Sequence, residues 1–342
     1  LGLALGQLIY GPVSDRIGRR KPLYFGLALY ALAALGCTFA TRIDSLIALR
    51  FLQALGGCAG MVIVRAVVRG LYTPQEMARV LSMLLLVMGV APILAPVIGS
   101  WIFVALGWQA VFGVLAVYGV ACLIMAANYL PETLAKPGEA LQLIRVLKGY
   151  GRLLRHRRFM GYALSGGIAQ ASMFAYIAVS SFVFIEFYAL SPSQYGLLFG
   201  VNAFGLILGS QINNWMLTRY RSERVLRGAL IAYSGFGGVL ALTVMTGFGG
   251  LPGVLIPLWC CIASLGFTFP NSTAAAMAPF GDRAGMAAAL LGTLQYGLAA
   301  LASGVVASLH DGTAQPMALT IAVCGLMSVI VLRVLTGKLA PV

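Results

Sequence analysis

Residues 228–281 contain no Asp, Glu, Lys or Arg, and residues 80–131 are equally free of formal charge. Apolar stretches of this length belong in lipid, where every backbone N–H and C=O has to be bonded inside the protein. Only α-helices and closed β-barrels meet that condition. Barrel strands alternate apolar and polar residues, whereas these runs are continuous and exceed the ~20 residues that carry a helix across a bilayer. Charged residues make up 9% of the chain, against roughly 25% in soluble domains. The chain reads as an all-α integral membrane protein.

Further uncharged runs cover residues 22–41, 159–185, 187–218, 284–309 and 312–332. Each of the two longest runs holds two spans, divided at ALGWQA (105–110) and at TGFGGLPG (246–253), where Gly and Pro punctuate the pattern. One more span over about 45–66 tolerates Arg50, which gives ten complete helices. Only 14 residues precede Asp15, too few to cross a bilayer. Residues 1–13 are therefore expected to be the second half of a truncated span; they lack the basic region and cleavage site of a signal peptide.

The net charge of +14 would suggest nucleic acid in a soluble protein. Sorting the connections onto alternate sides gives another account. One side collects 21 of the 23 bases, among them Arg16, Arg19, Arg20, Lys21, the seven of residues 131–158, and Arg333. Arg42 stands alone opposite, and Arg50 lies within a span. This is the positive-inside bias, which makes the loop at 14–21 and the segment 131–158 cytoplasmic. Membrane lipid is the expected surroundings and no nucleic acid is expected as a partner. The 131–158 segment, with a helical apolar pattern at Leu141, Ile144 and Leu147, separates a bundle over 1–130 from one over 159–342.

The six cysteines all fall inside apolar runs and read as small buried hydrophobes. With two histidines and no nucleophile–base set or Gly-rich phosphate loop, the pattern points away from enzymes, metal sites and nucleotide-driven pumps. No cofactor is expected.

Several short stretches carry a resemblance. GPVSDRIGRRKPL holds Gly11, Asp15, Arg16, Gly18, Arg19 and Arg20; LIALRFLQALGGCAG holds Arg50, Gln53 and Gly56; GVAPILAPVIGS holds Gly89, Pro92, Pro96 and Gly99; and LPETL closes the sixth-helix position. In that order they resemble the cytoplasmic loop 2–3 signature, the fourth-helix motif and the fifth-helix antiporter motif of the major facilitator superfamily, the last with Ala-Pro where Gly-Pro is commoner. Residues 180–210 are similar to the seventh and eighth helices of its bicyclomycin/chloramphenicol-resistance (Bcr/CflA) branch of drug–proton antiporters. The resemblance implies two six-helix bundles, here with the first helix and part of the second missing. It also implies a monomer that exports small drugs by alternating access, with the proton gradient as energy source.

The residue chemistry fits those roles. Glycine and proline suit a short turn at residues 11–21. An acid there, Asp15, can meet a helix N-terminus or an arginine and latch a closed state, the role that the resemblance also implies; the neighbouring bases equally suit anchoring to anionic lipid. Arg50 sits inside a span, where an arginine faces protein or water, and Gln53 is its hydrogen-bonding neighbour, so both are candidates for proton or substrate coupling. The small residues around Gly89 and Gly99 allow close helix packing. Mid-span polar and aromatic residues, namely Gln170, Phe174, Tyr176, Asn202, Asn213, Trp259, Asn271, Gln295 and Tyr296, are candidates for the substrate cavity or for packing. Glu186 reads as a solvated carboxylate at a helix end. In relatives the coupling acid commonly lies in the first helix. A metabolite exporter or uptake permease of the same superfamily, and a non-transporting receptor or assembly subunit, remain alternatives.

Overall fold

The structure, a computed structural model, describes residues 1–71, 94–95, 97–133, 143–280 and 284–337. Every regular element among them is helical: α1 (Gly2–Ile17), α2 (Arg20–Thr38), α3 (Ile43–Leu71), α4 (Val97–Leu106), α5 (Trp108–Tyr129), α6 (Leu143–Arg155), α7 (Arg157–Ser181), α8 (Pro192–Leu217), α9 (Ser222–Thr246), α10 (Gly250–Met277), α11 (Ala284–Ser308) and α12 (Gln315–Thr336). Among the described helices nine are long and apolar enough to cross a bilayer, namely α2, α3, α5 and α7 to α12. The span expected over 80–105 runs largely outside the described residues.

Local chemistry explains where the helices stop. Gly107, at φ +83°, separates α4 from α5, and Gly247 and Gly249, at φ +68° and +76°, separate α9 from α10. Both breaks need a left-handed residue, which glycine adopts without a Cβ penalty. Pro252, expected in the second break, instead lies in the first turn of α10, where its missing N–H costs nothing. The imidazole of His156 caps α7 by accepting from the Phe159 N–H at 3.1 Å.

One boundary matches the sequence expectation and one differs. Glu186 is exposed in the last turn of its span, as expected: α7 continues as a π-helical turn through Phe182–Phe187, and the connection is Tyr188–Ser191, with Ala189 at φ +53°. α8 then starts at a capping box, Ser191 accepting from the Gln194 N–H at 3.2 Å and Gln194 accepting from the Ser191 N–H at 2.8 Å. Ser-Pro-Ser-Gln announces that start in sequence. The difference concerns the loop motif. Gly11 and Pro12 lie inside α1, and the turn consists of Gly18 and Arg19 alone. Pro12 is tolerated there, so it does not mark a turn.

The chain divides into two compact units, Leu1–Ala91 with Ile98–Gly149 and Pro92–Val97 with Tyr150–Val342, so that the later boundary falls inside α6. In the first, α2 packs against α3 and α5, and α1 against α3. In the second, α7 packs against α10, α11 and α12, α10 against α8 and α9, and α9 against α12. Lipid gives apolar side chains no reason to hide, so helices associate where backbones approach closely. A Cβ on Gly56 would lie 2.5 Å from the Gly26 carbonyl oxygen. One on Gly205 would lie 2.7 Å from the Trp259 indole nitrogen, and one on Gly209 would overlap the Ala263 carbonyl oxygen. Large apolar residues point outward instead. In α5 only Ala116 and Gly119 are buried while Val117, Tyr118 and Met125 are exposed. A buried cluster that includes Phe159, Tyr233, Leu258 and Met317 fills the second unit.

The α8–α10 contact gives a paired test. Gly209→Ala is expected to destabilise by about 1–3 kcal/mol through overpacking. Gly304→Ala, on an open face of α11, should be neutral or slightly stabilising. Thermal unfolding in detergent compares the two.

Candidate functional site

The loop motif is held by an acid more than a hundred residues away. Gly18 takes φ +96°, and a Cβ there would lie 2.6 Å from Glu132 Oε2. With that space free, the Glu132 carboxylate accepts from the Arg19 N–H at 3.0 Å and from the Arg20 N–H at 3.1 Å. These are among the unpaired donors at the start of α2, where an anion also meets the positive end of the helix dipole. The arginine side chains then fold across the end of α5. Arg19 Nη1 donates to Thr133 Oγ1 at 2.8 Å, Arg20 Nη2 to the Ala127 carbonyl at 3.1 Å, and Arg20 Nε to the Tyr24 hydroxyl at 2.7 Å. Arg16 is exposed, and Gly11 faces open space. The Asp15 side chain lies outside the described set. LPETL was legible as a motif; that its glutamate serves the glycine-arginine turn was not, since nothing in the spacing links positions 18 and 132.

Arg50 and Gln53 are joined, as their i,i+3 spacing on α3 allows. Arg50 Nη1 donates to Gln53 Oε1 at 2.6 Å, and the guanidinium lies 5.5 Å from the Phe112 ring centroid. Arg50 itself is exposed, while Gln53 is buried beside the Tyr30 hydroxyl.

Most second-unit candidates are hydrogen-bonded across helices, although Asn213 Nδ2 is buried without a partner among the described residues. Asn202 Nδ2 donates to the Tyr176 hydroxyl at 3.0 Å, and Tyr176 stacks on Phe199. Trp259 Nε1 donates to the Val201 carbonyl at 3.1 Å, and Asn271 Nδ2 donates to Asn213 Oδ1 at 2.6 Å. The Ser222 hydroxyl donates to Asn271 Oδ1 at 2.8 Å. These bonds tie α7 to α8, and α10 to α8 and α9. Between α7 and α11 the picture changes. Gln170 Oε1 and Gln295 Nε2 are buried without a hydrogen-bond partner among the described residues. The Phe174 ring, one turn on from Gln170, and the Tyr296 ring, next to Gln295, meet edge to face at 5.9 Å. An unpaired buried amide atom costs about 1–3 kcal/mol. Here an acceptor and a donor wait on facing helices beside two aromatic rings, a pattern suited to a neutral molecule bearing both kinds of polar group. Of the fifth-helix motif, Gly89, Pro92 and Pro96 lie outside the described residues; Gly99 sits in α4 against open space. Sequence reasoning did not single out the buried bond from the Tyr233 hydroxyl to Ser172, which joins α9 to α7.

A family profile described as the Major Facilitator Superfamily matches residues 1–304. The chain is 37% identical over 320 residues to the "Uncharacterized MFS-type transporter YdgK" of Bacillus subtilis, an alignment covering 93% of this chain and 79% of that one. It is 30% identical over 338 residues to the "Bicyclomycin resistance protein homolog" of Haemophilus influenzae, covering 98% and 85%. Among solved structures, that of a D-xylose-proton symporter matches with a TM-score of 0.73 at 14% identity, over 99% of this chain and 85% of that one. That last likeness is one of fold.

The Glu132 clamp is open to direct measurement. Glu132→Ala is expected to cost about 1 kcal/mol, the worth of a helix cap, and Glu132→Gln less. Gly18→Ala should cost more than either, since it strains the backbone and displaces the carboxylate. Thermal unfolding gives the order, and faster trypsin cleavage after Arg19 and Arg20 reports the local opening.

Proposed function

Because this chain belongs to the major facilitator superfamily, we propose that it exports small antibiotics in exchange for protons, by alternating access. Members of the superfamily are multi-pass membrane transporters of small molecules, and the helical fold and the relatives place this chain in the bacterial inner membrane. Drug export is supported by the likeness to a protein named for bicyclomycin resistance. Exchange for protons rests on the resemblance of the motifs around Arg50 and Gly99 to those of drug–proton antiporters.

The observation that carries the substrate class is the unsatisfied pair on α7 and α11. Gln170 Oε1 can accept and Gln295 Nε2 can donate, both out of reach of other groups among the described residues. Phe174 and Tyr296 supply flat apolar surface beside them. A neutral drug carrying hydroxyl or amide groups relieves both orphans, and little of its binding depends on formal charge.

The test is transport by the full-length protein in proteoliposomes with an imposed proton gradient. Bicyclomycin or chloramphenicol should drive proton movement; flux driven only by members of a metabolite panel would replace drug export with metabolite exchange. Gln170→Ala and Gln295→Ala are each expected to raise the apparent KM roughly 5- to 10-fold, the worth of one hydrogen bond, with little change in unfolding temperature. Asp15→Asn should instead lower the rate at saturating substrate. Unchanged KM in both glutamine variants would remove the α7–α11 site.

A further inference from the structure

A groove of about 600 Å³ runs between α9 and α12, walled by Leu230, Ile231, Val329 and Leu332 and bounded by Arg227 and Arg333. Arg227 lies in the second turn of α9 and Arg333 in the last turn of α12. Both helix ends are on the basic, cytoplasmic side. The guanidiniums therefore stand at headgroup level, and the apolar walls sit where acyl chains begin. Neither arginine forms an ion pair among the described residues. Glu223, one turn before Arg227, pairs with Arg158 at 3.3 Å. Two cations left without a counter-charge, above a trough with apolar walls, match a ligand with an anion at one end and hydrocarbon at the other.

We propose that this groove binds one anionic phospholipid of the inner leaflet, its phosphodiester between Arg227 and Arg333 and an acyl chain along the trough. A soluble phosphate would use the arginines and leave the walls wet; a zwitterionic lipid would fill the walls and leave net positive charge. Basic pockets between helices on the cytoplasmic side hold acidic headgroups for the same reason. The site is separate from the α7–α11 amides and does not depend on what the protein transports.

Native mass spectrometry of the purified full-length protein, titrated with phosphatidylglycerol or phosphatidylethanolamine of matched chains, tests this. Phosphatidylglycerol should bind roughly tenfold more tightly, given the worth of each base near a charged headgroup. R227Q/R333Q should abolish that preference, while R152Q/R155Q, which removes two exposed bases of α6, should keep it. Ile231→Trp fills the trough and leaves both arginines. It should weaken phosphatidylglycerol binding as well, and it decides the matter if the double variant unfolds early. Excess sn-glycerol 3-phosphate should displace nothing. The proposal is overturned by equal binding of the two lipids, by a preference that survives R227Q/R333Q or vanishes in R152Q/R155Q, by full binding to Ile231→Trp, or by displacement with the soluble phosphate.

Discussion

The bilayer core offers no water, and the rest of this structure follows from that. Backbone groups must bond within their own helix, so each long apolar run becomes a helix. Once formed, the helices gain little from hiding large side chains, because lipid is as apolar as leucine. What draws them together is close backbone approach and hydrogen bonds between them. Gly26 against Gly56 joins α2 to α3, and Gly209 against Ala263 joins α8 to α10. Around those contacts α5 turns Val117 and Met125 outward and Gly119 inward, the reverse of a soluble helix.

The same shortage of water makes buried polar atoms informative. Some are paired across helices and some keep an unpaired atom, Asn213 Nδ2 among the latter. Tyr176 with Asn202, and Asn213 with Asn271 and Ser222, bond across helices and stitch the second unit together. Gln295 is buried and Gln170 half-buried, and each keeps one buried polar atom unpaired. That difference sets an interhelical hydrogen-bond network apart from the two glutamines proposed to meet substrate.

The cytoplasmic turn shows how a charge motif becomes architecture. Gly18 is open so that Glu132 can reach the first amides of α2, and Arg19 and Arg20 then lie along the end of α5. The bases of this motif thus do more than orient the chain. They join two segments that the sequence keeps far apart, at the edge where helices must end and donors would otherwise stay unpaired.

Charge-free runs and the positive-inside bias alone determined the helical class, most span boundaries and the cytoplasmic side, because each depends on composition over about 20 residues. The Arg50–Gln53 pair was legible too, since i,i+3 spacing puts both on one face. Pro12 was misread because a proline can sit inside a helix. Only the tertiary structure decided that Glu132 clamps the Gly18 turn, that Tyr176 and Asn202 satisfy each other, and that Gln170 and Gln295 do not. Hydrogen bonds and close approaches between helices depend on which residues meet across tens to hundreds of positions, and no local period encodes that meeting.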